Sequence, residues 1–272
     1  MTYLVTAATG RAGRHVVAEL LRKGEKVRAL TRDPASANLP PEVEVVGGDL
    51  TDPASLAGAF DGVTGVHLVV QGGDGYATLR TGPDIAVLAK RAGVQRVVVL
   101  WNGDPGPVEE AIAASGLPWS SLQPPDFMVN TLSWAASIKA TGGISEPFGD
   151  VLSAAVHEAD VGAASAALLV REDHSGQAYP LTGPEALSPR RKLAILGEAI
   201  GRDLVFTELT ENQARERWQR AGHAPDLVDL LASWAKNPPA SAYTVTGNVE
   251  RLTGRPARDF ASWAAEYASS FR

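Results

Sequence analysis

Residues 1–13 read MTYLVTAATGRAG, and this stretch decides the fold. Its apolar run, Tyr3 to Val5, predicts a short buried strand, and the small residues from Thr6 to Gly13 predict a tight turn. Residues 14–23 then carry apolar side chains at helical spacing on one face. Because the free N–H groups and the dipole of a helix N-terminus favour an anion, the turn is a predicted phosphate-binding site.

The spacing of Gly10 and Gly13 is that of a glycine-rich dinucleotide-binding loop, but Ala7 occupies the place of its first glycine. An alanine fits there if its φ is negative, although its Cβ takes up room near the pyrophosphate. The alternative is a tight strand-to-helix turn that holds no ligand. The turn residues predicted to contact a dinucleotide are Thr6, Ala7, Thr9, Gly10, Arg11, Ala12 and Gly13.

Composition excludes several classes of protein. The 272 residues are 44% hydrophobic and 21% charged, as in an ordinary globular protein, and a net charge of −6 argues against a nucleic-acid partner. The chain has no cysteine, which excludes disulfides and thiolate chemistry. No apolar stretch reaches the roughly 18 residues that cross a membrane, and no signal peptide opens the chain. A cytoplasmic protein without a membrane partner is expected, either a monomer or a homodimer.

Short apolar strands alternate with helices as far as residue 122, which predicts right-handed crossovers and a parallel sheet covered on both faces. Asp52 is a predicted helix cap, and helices are also predicted over 84–91 and 108–114. Val151–Ala155 has the pattern of a further strand, and Asp160 is a predicted cap of an alanine-rich helix that runs to about Val170. The predicted strands after the first are Val27–Leu30, Val43–Val46, Gly65–Val70, Arg96–Trp101 and Trp119–Leu122.

These elements predict an α/β fold with a doubly wound parallel sheet and a smaller, mostly helical C-terminal lobe. The predicted nucleotide-binding core covers residues 1–122 and is completed by 151–172. The predicted substrate-binding lobe covers 123–150 and 173–272.

Several stretches together resemble the atypical short-chain dehydrogenase/reductase superfamily, and within it the NmrA-like branch. The resemblance covers nearly the whole chain in the family's order. The resemblance implies a Rossmann-type fold that binds NADP(H). The family includes ketoreductases that modify aromatic polyketides, so the resemblance also implies a role in antibiotic biosynthesis. The stretches that carry it are Val5–Gly13, Gly48–Asp52, Ser115–Ser120, Gln123–Asn130, Tyr179–Leu187 and Val249–Pro256.

Arg32 ends the second strand, nineteen positions after Gly13. An acidic residue there would bind the ribose 2′-hydroxyl of NAD, whereas the paired donors of a guanidinium suit the 2′-phosphate of NADP. Arg11 is a candidate second clamp. The sequence therefore predicts tighter binding of NADPH than of NADH. The alternative for Arg32 is a surface ion pair with Asp33.

Other positions are assigned to the cofactor by resemblance. Asp49 would contact the adenine with Leu50 packed on the ring, and the alternative for Asp49 is a helix-capping loop. The remaining expected contacts are Val70, Gln71, Gly72, Gly73, Trp101, Asn102, Pro124, Pro125 and Phe127.

The proton relay usual in the superfamily is missing. Relatives carry Tyr-x-x-x-Lys on the helix after the fifth strand, where the tyrosine delivers a proton and the lysine lowers its pKa. This chain has neither Tyr nor Lys between Arg91 and Lys139. Two interpretations remain. The first is an NADPH-dependent reductase of a ketone in a bulky aromatic, polyketide-type substrate, or of a quinone, with the proton from elsewhere. The second is an NADP-binding redox sensor that regulates a partner.

Asn102 and His157 are the candidate catalytic residues, Asn102 as a hydrogen-bond donor to the substrate carbonyl and His157 as a proton donor. A turn-forming asparagine and a structural histidine are the alternatives. Glu109 and Glu110 are adjacent on a helix, which predicts a solvated face. No metal-ligand spacing occurs. The candidate lining of the substrate pocket, each residue also a candidate for the core, is Trp101, Phe127, Met128, Trp134, Phe148 and Trp218.

Overall fold

A computed structural model describes residues 1–73, 77–101, 106–171 and 174–272. Along these residues the strands are β1 (Thr2–Val5), β2 (Lys26–Thr31), β3 (Glu44–Gly47), β4 (Gly65–Val69), β5 (Gln71–Gly72), β6 (Ala77–Thr78), β7 (Arg96–Leu100), β8 (Trp119–Gln123), β9 (Gly143–Pro147), β10 (Gln177–Pro180) and β11 (Val205–Leu209). The α-helices are α1 (Gly13–Arg22), α2 (Gly82–Arg91), α3 (Pro107–Ala114), α4 (Ala135–Thr141), α5 (Glu158–Val170), α6 (Pro189–Ile200), α7 (Glu211–Arg220), α8 (Pro225–Lys236), α9 (Asn248–Thr253) and α10 (Phe260–Glu266).

The first of two compact units comprises Met1–Pro124, Glu158–Leu181 and Asn248–Arg255. It is built on a seven-stranded sheet with the strand order β10-β8-β7-β4-β1-β2-β3. All neighbouring strands in it are parallel. Strand β1 lies between β2 and β4, so the order reverses beside the opening strand, which is where ligands bind in such sheets. The predicted doubly wound parallel sheet is confirmed.

Small residues allow two helices of this unit to pack closely on one face of the sheet. Helix α5 is rich in alanine and nearly all of it is buried. It contacts α1, and a Cβ placed on Gly162 of α5 would lie only 2.4 Å from the Cβ of His15. The opposite face is covered by a continuous apolar core that includes Leu68, Val99 and Ile112. Burial of both faces explains why the central strands β1, β4 and β7 are mostly apolar.

The outermost strand differs from the prediction. Residues 151–155 form no strand of the sheet and make an isolated bridge through Ser153 to Leu187. The seventh strand is instead β10, in a region predicted to be mostly helical, and it pairs with β8. A short apolar segment shows that one face is buried but not against which partner.

Of the two predicted caps, Asp52 is confirmed and Asp160 is not. Helix α5 begins at Glu158, so Asp160 lies inside its first turn. Asp52 caps a short 3-10 helix, Pro53–Leu56, by accepting a hydrogen bond from the Ala54 amide.

The second unit comprises Pro125–His157, Thr182–Gly247 and Pro256–Arg272. It contains α4, α6, α7, α8 and α10 and a small parallel sheet of β9 and β11. Its core is centred on Trp263, whose ring stacks on those of Phe260 and Tyr267 at centroid distances of 5.3 and 4.8 Å.

Buried His67, on β4, predicts a pH dependence of stability. Its Nδ1 lies 2.8 Å from Ser165 Oγ, and burial lowers the pKa of His67 to about 4. Between about pH 6.5 and 4 the unfolded chain therefore binds a proton that the folded chain does not. The free energy of unfolding is expected to fall as the pH falls through this window, by about 1.4 kcal/mol per pH unit from this group.

The variant His67→Gln is expected to lose that part of the slope when urea unfolding is measured at pH 7.5, 5.5 and 4.5. His223→Gln, at an exposed histidine, serves as the control and should keep the wild-type slope. An unchanged slope in His67→Gln would contradict the assignment.

Candidate functional site

The glycine turn between β1 and α1 folds back on Ala7. The Ala7 carbonyl accepts a 2.8 Å hydrogen bond from the Gly10 amide. A Cβ placed on Gly13 would lie 2.1 Å from the same carbonyl oxygen, so only glycine fits at that position. The condition of a negative φ at Ala7 is not met, because Ala7 has a φ of 48° and lies in the left-handed region. This alanine adopts the backbone conformation that glycine provides without strain.

Replacing Ala7 with glycine is expected to stabilise the folded protein. The left-handed conformation costs alanine about 1–2 kcal/mol, of which about 0.4–1 kcal/mol is offset by the greater freedom of glycine in the unfolded chain. A gain of up to about 1.6 kcal/mol in the free energy of unfolding should appear in urea denaturation. Ala57→Gly is the control. Ala57 is exposed and has a right-handed φ of −52°, so glycine at this position should lower the free energy of unfolding. A lower free energy of unfolding in Ala7→Gly would contradict the inference that the backbone of Ala7 is strained.

The N-terminus of α1 faces this turn without a side-chain cap. Its N-cap residue, Ala12, makes no side-chain hydrogen bond, and the first turn contains no acidic residue. Arg14 stabilises the turn from outside, because Nε donates to the Gly10 carbonyl and Nη2 to the Thr9 carbonyl, both at 3.1 Å. The first-turn amides and the helix dipole therefore present positive charge to the turn. Arg14 is not predictable as a turn residue from the sequence, since an exposed arginine at the start of a helix carries no distinctive pattern.

A cavity of about 210 Å³ opens beside the turn, at the carboxyl ends of β1 to β4. It brings together eight of the predicted cofactor residues: Ala7, Thr9, Gly10, Arg32, Asp49, Leu50, Gln71 and Gly72. Gly73, also expected beside the cofactor, lines the cavity too, and the lining residues without a predicted cofactor contact are Leu30, Thr31, Gly48 and Val69.

Two side chains of opposite charge, Arg32 and Asp49, line this cavity. Hydrogen bonds from the Thr51 amide and hydroxyl, both 2.8 Å from Oδ1, lower the pKa of Asp49, and the charge of Arg32 lowers it further. Asp49 thus caps its own loop while lining the cavity.

Asp33 caps the short 3-10 helix Pro34–Ser36, and a 2.7 Å hydrogen bond from the Ser36 hydroxyl lowers the pKa of Asp33.

Other predicted cofactor residues of the first unit lie outside the cavity lining. The Thr6 hydroxyl joins β1 to β4, since it donates to the His67 carbonyl and accepts from the Val69 amide, both at 3.0 Å. Asn102 lies outside the described residues. The remaining positions are the exposed Arg11, the half-buried Trp101, and the buried Ala12, Gly13, Val70 and Pro124.

The other candidates belong to the second unit. His157 is 1% exposed, and its Nε2 lies 3.2 Å from a carboxylate oxygen of Glu266. Met128 is 1% exposed and lies in the apolar core. Half-buried candidates are Pro125, Phe127, Trp134, Phe148 and Trp218.

The cavity fits one end of a dinucleotide. The backbone of the turn requires glycine at position 13, and a Cβ on Gly72 would displace the side chain of Leu79, whose Cδ2 lies 2.6 Å away. The guanidinium of Arg32 provides paired donors for a phosphate. Within the described ranges, no cluster of three His, Asp or Glu side chains is placed to hold a metal ion. No helix formed by the described residues has the length and apolar character that spanning a bilayer requires.

Residues 1–102 match the model of the NmrA-like family. A (4-alkanoyl-5-oxo-2,5-dihydrofuran-3-yl)methyl phosphate reductase of Streptomyces griseus is 36% identical over 285 residues, which cover 98% of this chain and 98% of the relative. An NAD(P)H azoreductase of Xenophilus azovorans is 31% identical over 283 residues, again with 98% of each chain covered.

Solved structures share the fold over nearly the full length. The NADPH-dependent quinone oxidoreductase QOR2 of Escherichia coli, complexed with NADPH, aligns with a TM-score of 0.82 and 23% identity, covering 97% of this chain and 99% of that chain. The triphenylmethane reductase of Citrobacter sp. aligns with a TM-score of 0.80 and 22% identity, covering 98% and 99%.

Proposed function

Since the chain belongs to the NmrA-like branch of the atypical short-chain dehydrogenase/reductase superfamily, we propose that it is an NADPH-dependent reductase of a conjugated carbonyl acceptor. Two of its relatives are named as reductases, and one of them is named for NAD(P)H. The observation that carries the proposal is the single cavity in which the glycine turn, Arg32 and Asp49 meet.

Each part of this cavity has a role toward the cofactor. The uncapped first turn of α1 binds the pyrophosphate, Arg32 binds the 2′-phosphate, and Leu50 packs against the adenine ring. Bound NADPH supplies a hydride from C4 of its nicotinamide ring. The protein's own part is to hold the acceptor in line with that carbon and to exclude water.

The choice of acceptor follows from the missing proton relay. Without Tyr-x-x-x-Lys, an acceptor whose reduced anion is delocalised needs the least help. The first candidate is therefore a ketone in a bulky aromatic, polyketide-type molecule, whose own phenolic hydroxyl can protonate the nascent alkoxide and leave a delocalised phenolate. Half-buried aromatic side chains of the second unit, Trp134, Phe148 and Trp218, are the proposed contacts for such flat rings.

A quinone is the second candidate. The same lack of a relay favours it, because a reduced quinone anion is stabilised by its own ring. Quinone and polycyclic ketone make similar demands on a pocket, so direct comparison of the two is needed.

The test is NADPH oxidation, followed by absorbance, with hydroxylated polycyclic ketones, quinones and cyclohexanone. Turnover is expected with the conjugated acceptors and not with cyclohexanone, an aliphatic ketone whose alkoxide is localised. Comparison of kcat/KM for the first two groups decides between the candidates. Tight NADPH binding without turnover on any acceptor would refute the reductase and favour a redox sensor.

A further inference from the structure

A second cavity, of about 260 Å³, adjoins the cofactor cavity within the first unit. Thr9 of the glycine turn and Thr31 at the end of β2 line both cavities and so form the boundary between them. A ligand in the cofactor cavity can therefore extend between these two threonines into the second one. The other residues that line the second cavity are Arg14, Asp33, Ser36, Ala37, Asn38 and Leu39.

Arg14 brings a positive charge in a fixed position to the second cavity. Its Nε donates a hydrogen bond to the Gly10 carbonyl and its Nη2 donates one to the Thr9 carbonyl, both at 3.1 Å. These bonds orient the guanidinium but do not neutralise it, because both acceptors are uncharged. Its Nη1 is left as a donor that neither bond uses. The second cavity is therefore suited to an anion.

The two arginines of this region lie on different sides of the boundary. Arg32 lines the cofactor cavity and Arg14 lines the second cavity, so an anion between Thr9 and Thr31 has one guanidinium in each cavity beside it. A phosphate monoester suits such a place, since it carries about −1.5 to −2 charges at pH 7 and three strong acceptor oxygens. Arg11, the second clamp that the sequence suggests, lines neither of these cavities.

We propose that the 2′-phosphate of NADPH occupies this boundary and that Arg14 binds it together with Arg32. The inference rests on the proposed NADPH-dependent function. Because hydrogen bonds to the turn already hold the guanidinium of Arg14, it loses little conformational freedom when the phosphate binds. NADH has a hydroxyl in place of this phosphate and gains no comparable charge-assisted bond. Arg14 is thus a second residue that selects NADPH over NADH.

Asp33 works against this selection. It lines the second cavity together with Arg14, and its carboxylate accepts hydrogen bonds from the Ala35 amide at 3.1 Å and from the Ser36 hydroxyl at 2.7 Å. A carboxylate in the same cavity repels a phosphate dianion, whereas it does not repel the neutral hydroxyl of NADH. The preference for NADPH is therefore the difference between attraction by two arginines and repulsion by Asp33.

The decisive variant is Arg14→Gln. Calorimetric titration with NADPH, NADH, adenosine 2′,5′-bisphosphate and 5′-AMP separates the two roles of this side chain, because only the first and third ligands carry a 2′-phosphate. We expect their affinities to fall about tenfold and those of NADH and 5′-AMP to fall less than about threefold. Arg22→Gln, at an exposed arginine on the last turn of the same helix, is the matched control and should leave all four affinities unchanged.

Asp33→Asn is the second variant and has the opposite expected effect. The asparagine oxygen can still accept from the Ala35 amide, so the start of the 3-10 helix is kept while the charge is removed. NADPH and adenosine 2′,5′-bisphosphate should bind about threefold more tightly, with the affinities for NADH and 5′-AMP unchanged.

The possible outcomes distinguish this inference from the proposed function. Equal losses for all four ligands in Arg14→Gln would show that Arg14 only supports the turn, and wild-type affinities in this variant would show that it has no role in binding. Either result would overturn the inference and leave NADPH as the cofactor. Weaker binding of NADPH by Asp33→Asn would contradict the repulsion. A wild-type protein that does not bind NADPH would refute the proposed function itself.

Discussion

Arg32→Ala is expected to weaken NADPH binding by about ten- to hundredfold while the affinity for NADH stays within about twofold. Arg32 lines the cavity that begins at the glycine turn, and its charge adds to the hydrogen bonds from Thr51 that lower the pKa of Asp49. Charge-assisted hydrogen bonds from its guanidinium would be made only to the 2′-phosphate, which NADH lacks. The loss should therefore appear with NADPH alone.

Calorimetric titration of wild type and variant with both dinucleotides measures this difference. Arg91→Ala is the matched control, because Arg91 is also an exposed arginine but lies at the end of α2. It should leave both affinities unchanged. Equal affinities of the wild type for NADPH and NADH would refute the assignment of Arg32. Loss of binding to both dinucleotides in Arg32→Ala would point to a structural role of this residue.

Gly13→Ala is expected to destabilise the folded protein by about 3 kcal/mol or more and to abolish NADPH binding. The added Cβ would lie 2.1 Å from the Ala7 carbonyl oxygen and 2.8 Å from its carbon, which are backbone atoms of the turn itself. Neither atom can rotate away as a side chain would. Relief requires the turn to move away from α1, and that movement separates the first-turn amides from the pyrophosphate position.

Urea unfolding and NADPH titration of Gly13→Ala, done side by side with Gly58→Ala, measure both effects. Gly58 has open space around its Cβ position and no positive φ, so alanine there should be tolerated. Wild-type stability in Gly13→Ala would show that the turn is not as closely folded on Ala7 as the distances require.

Parts of the site could be located from the sequence, namely those whose position follows from the local pattern of residues. The residues that meet in the cavity follow the ends of successive apolar strands, and the carboxyl ends of parallel strands lie at one edge of a sheet. Arg32 could therefore be placed there from its position at the end of the second strand, and Asp49, which follows the third strand, was assigned there by resemblance. Arg14 could not, because its two hydrogen bonds to the turn depend on how the carbonyls of Thr9 and Gly10 are oriented.

The amino-acid sequence by itself determined the strand–turn–helix opening, the doubly wound sheet and the absence of a Tyr/Lys relay. These follow from the order and spacing of residue types, which are local properties of the chain. Only the tertiary structure decided that β10 rather than 151–155 completes the sheet, that Ala7 has a left-handed backbone, and that Glu109 is buried while Glu110 is exposed. Each of these depends on which distant segment packs against a short one, and periodicity carries no information about that partner.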